Sequence, residues 1–440
     1  MPQTATLKRE TFETSRLLEF FSEKELTMQI GHNSDWWPTA LVKELVDNGL
    51  DAGESAGVPP EITVTLTDDM VSIADNGLGL PAATLERSLD YTVRVSDKNH
   101  YISPTRGQLG NALKCLWAAP FVATGERGHI EIMTAGQRRG VTVGLDRIAQ
   151  TPELKYEVSS DDLVKNGTLV RIHWPQIAGC LGRGDDVRQM LTDFAAFNPH
   201  ASFAWQSYES SGVIAATDPG WSKWRPADPT SPHWYSAEQL RDLVAAYLNA
   251  ERQEGAKART VREFVAEFRG LSGTAKQKKV TTSLGLTGAY LHDLVDDDDV
   301  SLEKVAALLT AMQSESRAPK PAVLGVLGKD HMTQHMVDHR HVGADSVHYK
   351  KVEGEAGGLP FVLEVALGVY DEAFEDSGRD VTVGLNWSAT FKPPIRELLG
   401  LLGQQRVDSC DPVVILVHLA CPVMQFTDRG KGVLQLLRGE

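Results

Sequence analysis

Glu44, Asn48 and Asp51 fall four and then three residues apart in Glu44-Leu45-Val46-Asp47-Asn48-Gly49-Leu50-Asp51-Ala52. On a helix that spacing puts a carboxylate, an amide and a second carboxylate on one stripe. Val42, Leu45 and Val46 lie off the stripe and can face a core. Oxygen-bearing side chains in such a row suit a hard divalent cation and the phosphates it carries. A second group follows. An alternating strand, Val71-Ser72-Ile73-Ala74, runs into Asp75-Asn76-Gly77-Leu78-Gly79. An acid followed by two glycines is the chemistry of a tight turn where backbone approaches a ligand closely. A third is the glycine-bearing loop Ser103-Pro104-Thr105-Arg106-Gly107-Gln108-Leu109-Gly110-Asn111-Ala112-Leu113-Lys114, which opens a helix. Backbone amides at such a start can bind phosphate oxygens. Any one of these segments also suits an amphipathic surface helix or an ordinary turn. The first two together, in this order and at this spacing, argue for a nucleotide site.

The elements that must position these groups can be read around them. Ile62, Val64 and Leu66 alternate, Asp68-Asp69 makes a turn, and Val71 and Ile73 alternate again, which is a hairpin. A second hairpin is expected over 130–145, turning near Gly136 and Gly140, and a further strand over Leu169-Val170-Arg171-Ile172-His173-Trp174. Helices followed by antiparallel strands predict an α+β sandwich. Residues 206–235, rich in Trp, Pro, Ser and Asp, read as a linker. Ser236 and Gln239 form a capping box for a helix to Glu254, and helical patterning continues to Gln313 with a break at Gly270-Leu271-Ser272-Gly273. Residues 296–299 read as a solvated acidic turn and 316–321 as a second linker. Strands over 361–369 and 413–419 make the C-terminal part α+β again.

With 440 residues the chain can bury a large core and hold several domains. Its net charge of −15 disfavours nucleic-acid binding through bulk charge. Cys115, Cys180, Cys410 and Cys421 are far apart, as reduced thiols in a cytosol would be. No apolar run reaches membrane-spanning length and no signal-peptide pattern opens the chain. A cytoplasmic protein without membrane association is therefore expected.

The first two segments resemble the N box and first glycine box of the GHKL (Bergerat-fold) ATPases. Arg106-Gly107-Gln108-Leu109-Gly110-Asn111-Ala112 resembles the second glycine box of the topoisomerase VI B family, with Ala112 in place of its last glycine. Asn166-Gly167-Thr168 resembles the threonine-bearing third box. Ser15-Arg16-Leu17-Leu18-Glu19-Phe20-Phe21 and Ala40-Leu41-Val42-Lys43-Glu44 are similar to that family's N-terminal strap and first long helix. Leu359-Pro360-Phe361-Val362-Leu363-Glu364-Val365 and Gly384-Leu385-Asn386-Trp387-Ser388 are similar to its transducer, and residues 422–431 occupy the place of its lysine loop.

The resemblance implies a GHKL ATPase sandwich with its strap over 1–205. It further implies a linker and helical, helix-two-turn-helix-like middle domain over 206–320, and a transducer α/β domain of the ribosomal-protein-S5-like type over 321–440. It implies ATP and Mg²⁺ as cofactors. Asp75 would accept from the adenine amino group, Asn48 would hold Mg²⁺, and Glu44 would orient the attacking water. Gly77, Gly79, Gly107, Gln108, Leu109, Gly110, Asn111, Ala112 and Thr168 would line the nucleotide, and Lys431 would reach the γ-phosphate. Asp51 would stand near the nucleotide through water, and Asp47 would be exposed. The implied function is a Mg-dependent ATPase subunit of a topoisomerase VI-like complex. It would form a homodimer on binding ATP and work with a DNA-cleaving, A-like subunit and duplex DNA. The alternative is an ATP-gated switch or scaffold for another effector, for instance in a bacterial defence system, without strand passage. The sequence ends nine residues after Lys431, where the family's transducer runs on into a stalk helix; either it is a piece or its output differs.

Two weaker signals stand outside this frame. Arg252, Lys257, Arg259, Arg262, Arg269, Lys276, Lys278 and Lys279 form a basic stretch, either a DNA face or a solvated helix surface. His331, His335 and His339 recur at helical spacing beside His341, a geometry that suits zinc, with a polar surface or pH-sensitive loop as the favoured reading.

Overall fold

The computed structural model describes residues 21–90, 101–106, 112–146, 151–160, 163–225, 227–254, 257–297 and 299–424, with Phe426 and Leu434. The N-terminal part contains α1 (Glu23–Ile30), α2 (Trp37–Ala56), β1 (Glu61–Thr67), β2 (Met70–Asp75), α3 (Ala82–Ser88), α4 (Ala112–Thr124), β3 (Gly128–Thr134), β4 (Gln137–Asp146) and β5 (Thr151–Ser160). It continues with β6 (Thr168–His173), α5 (Ile177–Cys180), α6 (Asp185–Phe197), β7 (Ser202–Gln206) and β8 (Ser211–Ile214). Its strands form one eight-stranded sheet among the described residues, in the order β5-β4-β3-β6-β2-β1-β7-β8. All pairs are antiparallel except β1 with β7.

The long helix α2 has Pro38 in its first turn, where a missing N–H costs nothing, and ends at Gly57 with φ 71°. Leu41, Val42, Leu45, Val46 and Leu50 are buried against the sheet's inner residues Ile62, Val64, Val71 and Ile73. The inner strand residues alternate with polar ones, which gives this face of the sheet to the helices.

The middle of the chain is helical: α7 (Ala237–Glu254), α8 (Val261–Ala266), α9 (Thr274–Ser283) and α10 (Leu302–Ser314), with a two-residue ladder of β9 (Val295–Asp296) and β10 (Asp299–Val300). The Ser236–Gln239 cap forms reciprocally, with bonds of 2.9 and 3.2 Å. The C-terminal part holds α11 (Lys329–Arg340), β11 (His348–Ala356), β12 (Leu359–Val369), β13 (Asp380–Leu385), β14 (Ser388–Ala389), α12 (Arg396–Gln404) and β15 (Val413–Ala420). Its sheet order is β11-β12-β15-β13-β14, with β13 parallel to β15. The α+β architecture expected from the sequence is the one observed. Among the described residues no helix is long and apolar enough to cross a membrane.

Three local readings are corrected. Gly140 is inside β4 opposite Glu131, and the turn is made by Ala135 and Gly136, both with positive φ. Residues 211–214, read as linker, form the edge strand β8 on β7. Two members of the histidine cluster are neither surface nor loop: His331 and His335 are buried on α11, while His341 is exposed just past its end. His331 uses both nitrogens, with 3.0 Å from Nε2 to the Ala196 carbonyl and 2.7 Å from Nδ1 to Thr217 Oγ1. Those bonds seat α11 against the end of α6, so the helical spacing reflects packing.

Candidate functional site

Glu44 and Asn48 lie one turn apart on α2, Glu44 half-buried and Asn48 exposed. They line a small pocket together with Leu41, Leu45, Leu113 and Leu116. Leu113 and Leu116 belong to the first turns of α4, so the pocket sits at the start of that helix. An acid and an amide among apolar side chains can position a water and a cation without competing for each other.

Asp75 ends β2 directly beside α2. A Cβ on Gly49 would stand 3.1 Å from the Asp75 Cβ and 2.7 Å from Ile62 Cδ1, so only glycine lets this strand end approach the helix. The Gly77 N–H donates to Asp75 Oδ1 at 2.8 Å. Thr168, directly opposite in the β2–β6 register, also hydrogen-bonds Asp75. Burial raises the Asp75 pKa above the ordinary carboxylate value, and the Gly77 and Thr168 bonds oppose that only in part. Gly79 has φ 82° and would press a Cβ to 2.5 Å from Thr134 Oγ1. Thr168 thus stands beside Asp75 at the end of β2. Gly107, Gln108, Leu109, Gly110, Asn111 and Lys431, like the strap residues 15–20, lie outside the described residues; Ala112 opens α4.

Asp47 is not exposed as expected, and it shares its surroundings with Asp51. Neither stands exposed or in the Glu44–Asn48 pocket: both are buried, at 6% and 2% exposure. They turn toward Arg106, the last described residue before the glycine loop. The Arg106 guanidinium donates to Asp51 Oδ1 and Glu54 Oε1, each at 2.7 Å, and to the Asn198 side-chain oxygen, while Nε lies 4.0 Å from Asp47 Oδ1. Lys223, from the segment after β8, reaches Glu54 Oε2 at 2.7 Å, and His200 Nε2 lies 3.0 Å from Oε1. Burial alone would raise the Glu54 pKa, but Arg106 and Lys223 hold it well below the usual value. Burial and the Arg106 charge push the Lys223 ammonium down to about 8. Asp47 is also tied to Lys43 at 2.9 Å and to Ser388 of β14 at 2.8 Å. Sequence reading missed this cluster because its members span 47–388. The one legible signal was the spacing of Asp47, Asp51 and Glu54, a second acidic stripe on the same helix.

The strand end that carries Asp75 lies against the helix that carries Glu44 and Asn48, in a helix-covered mixed sheet. The chain is similar in sequence to topoisomerase VI B subunits, the resemblance its boxes carry. It is 24% identical over 420 residues to the B subunit of type 2 DNA topoisomerase 6 from Archaeoglobus fulgidus, covering 89% of this chain and 65% of that protein. The corresponding protein of Natronomonas pharaonis is 25% identical over 210 residues, 46% of this chain and 25% of that one. That of Saccharolobus islandicus is 24% identical over 310 residues, 66% and 54% of the two. The chain thus spans less than two thirds of the length of each of these relatives. No family model matches it. A solved structure, the B-subunit of the DNA gyrase from Myxococcus xanthus, aligns over 94% of this chain and 88% of that one, at 10% identity and a TM-score of 0.40.

Proposed function

We propose that the chain is a Mg²⁺-dependent ATPase that dimerises on binding ATP and serves as the B-like subunit of a topoisomerase VI-like complex. The observation that carries this reading is the shared pocket of Glu44 and Asn48 at the head of α4, with Asp75 fixed beside the same helix by Gly77 and Thr168. The donor set fits the nucleotide. Asp75 presents a carboxylate whose second oxygen can accept from an exocyclic amino group, and Asn48 offers the neutral oxygen that Mg²⁺ tolerates beside waters and phosphates. Bound Mg–ATP supplies the electrophilic γ-phosphorus. Glu44, half-buried on the pocket wall, holds and polarises the attacking water, since phosphoryl transfer depends on positioning above all. The N-terminus of α4 at Ala112 offers backbone amides to phosphate, and Lys431 would offset charge at the γ-phosphate.

The test uses the full chain, Mg²⁺ and a non-hydrolysable ATP analogue in sedimentation velocity. A shift from monomer to dimer, abolished by Asn48→Ala, is the expected result; a mass independent of nucleotide refutes the dimerisation.

A second reading, the ATP-gated switch without strand passage, is favoured by the state of the basic stretch. Arg259 pairs with Glu267, Arg262 donates to Gln277 at 3.2 Å, Arg269 lies over the Trp224 ring, Lys276 donates to the Gly270 carbonyl at 2.8 Å and Lys279 meets Glu315 at 2.6 Å. Charges engaged in this way offer less to phosphates. Duplex DNA titrated into an ATPase assay at low and moderate salt separates the readings: salt-sensitive stimulation supports the DNA-coupled role, and flat turnover without binding supports the switch.

A further inference from the structure

Away from the nucleotide pocket, three potential metal ligands converge on the sheet. His129 and Glu131 are two residues apart on β3 and so share a face. His173, the last residue of β6, is the direct cross-strand partner of His129. His129 Nε2 lies 3.5 Å from Glu131 Oε1, and His173 Nε2 lies 3.8 Å from Glu131 Oε2. One ligand atom from each of the three falls within 4.8 Å of the others. These separations are too long for good hydrogen bonds. They are close to the edge of a zinc tetrahedron, about 3.3 Å for bonds of about 2.0 Å.

The surroundings are arranged as for ligation. The Thr142 hydroxyl lies 3.1 Å from His129 Nδ1 and can accept its proton, which leaves Nε2 as the lone pair facing Glu131. His173 Nε2 is buried and has no hydrogen-bond partner. Gly140, opposite Glu131 on β4, adds no side chain, and a Cβ there would already stand 3.6 Å from the His129 ring. Burial lowers the pKa of both histidines. Arg138 adds to this at His129, where Glu157 opposes it; at His173 the additions come from His129, Arg171 and Arg138.

We propose that His129, Glu131 and His173 bind one divalent transition-metal ion of the zinc type, bridging β3 and β6. Two imidazoles and a carboxylate leave the fourth position to solvent, the open kind of zinc site. Arg138 is the competitor. It pairs with Glu131 Oε1, and Arg171 lies 3.5 Å from Oε2. The Arg138 side chain is 46% exposed, so it can withdraw when the ion enters. An ion here would clamp β6, the strand that begins with the Thr168 held against Asp75.

The test takes the full chain, stripped with chelator and free of nucleotide and Mg²⁺, and titrates Zn²⁺ alone by calorimetry and Co²⁺ alone by absorption. One equivalent per chain is expected, with a four-coordinate cobalt spectrum lacking a thiolate band. His173→Asn removes the equivalent, Thr142→Val weakens it about tenfold, and Arg138→Gln tightens it. No uptake by the unaltered chain, uptake unchanged in His173→Asn, or a cobalt–thiolate band would overturn the proposal; the last is independent of how any variant folds.

Discussion

The Ser388 hydroxyl donates to Asp47 Oδ2 at 2.8 Å and accepts from Lys43 Nζ at 2.7 Å. Lys43 and Asp47 immediately flank Glu44 and Asn48 on α2. The turn of helix that carries the proposed hydrolytic residues is thereby fastened to β14, the edge of the C-terminal sheet. Burial lowers the Lys43 pKa, but Asp47 and Glu44 more than restore it, so this link is an ammonium–carboxylate pair with a hydroxyl between. Next to it, Asn386 accepts from the Cys421 N–H at 2.9 Å, and Asn198 donates to the Trp387 carbonyl at 2.9 Å.

If this link carries the nucleotide state to the C-terminal sheet, Ser388→Ala should leave ATP affinity near its original value and weaken nucleotide-driven dimerisation. Loss of the hydroxyl strands part of a buried carboxylate, at a cost of about 1–3 kcal/mol. Ser388→Thr should restore both. Nucleotide titration, denaturation and sedimentation on the three chains check this; equal dimerisation in all three refutes the coupling role.

Arg106→Met should be the more damaging change. It leaves Asp51 and Glu54 buried without their shared cation, a loss on the order of 3–5 kcal/mol. The thermal midpoint should fall, and because Arg106 ties α2 beside Glu44 and Asn48, ATP affinity should fall with it. A midpoint unchanged from the parent chain contradicts the network.

At Gly167 the backbone has φ 79° and a Cβ would come within 1.9 Å of the Asp75 carbonyl oxygen. Gly167→Ala should cost about 1–3 kcal/mol of strain and displace Asp75 from Thr168. ATP binding should weaken about tenfold or more, since each tenfold needs only about 1.4 kcal/mol. Calorimetry with the non-hydrolysable analogue measures it.

Glu364 gives the acid dependence. Its fully buried carboxylate accepts Leu327 N–H and Gly328 N–H at 2.9 Å and the Tyr349 hydroxyl at 2.7 Å, and faces His418 Nδ1 at 3.3 Å. Burial pushes its pKa up, but His418 and these donors bring it down to about 2. A carboxyl whose folded pKa is depressed stabilises above its unfolded value and loses that contribution as pH falls toward the folded one. Stability on the order of 3 kcal/mol should therefore disappear between pH about 4.5 and about 2. Glu364→Gln should lower stability at pH 7 and flatten the profile over that window.

The chemistry-bearing segments were legible because each is local. The α2 stripe, the β1–β2 hairpin and the acid-glycine turn are fixed by spacing within a few residues, and Asp75 meets Thr168 where β2 ends and the antiparallel β6 begins. What was not legible depends on distant chain segments. Asp47 reads as exposed until Ser388 and Arg106 cover it. His331 reads as part of a polar surface or loop until Ala196 and Thr217 take its nitrogens. Residues 211–214 read as linker because an edge strand paired on one side needs little apolar sequence.

The most direct measurement of the ATPase assignment compares ATP affinity and ATP turnover in the unaltered chain and in Glu44→Gln. Removing the carboxylate that orients the water should leave affinity within about a factor of three and lower turnover by about 100-fold or more. Turnover in Glu44→Gln equal to that of the unaltered chain would contradict the account.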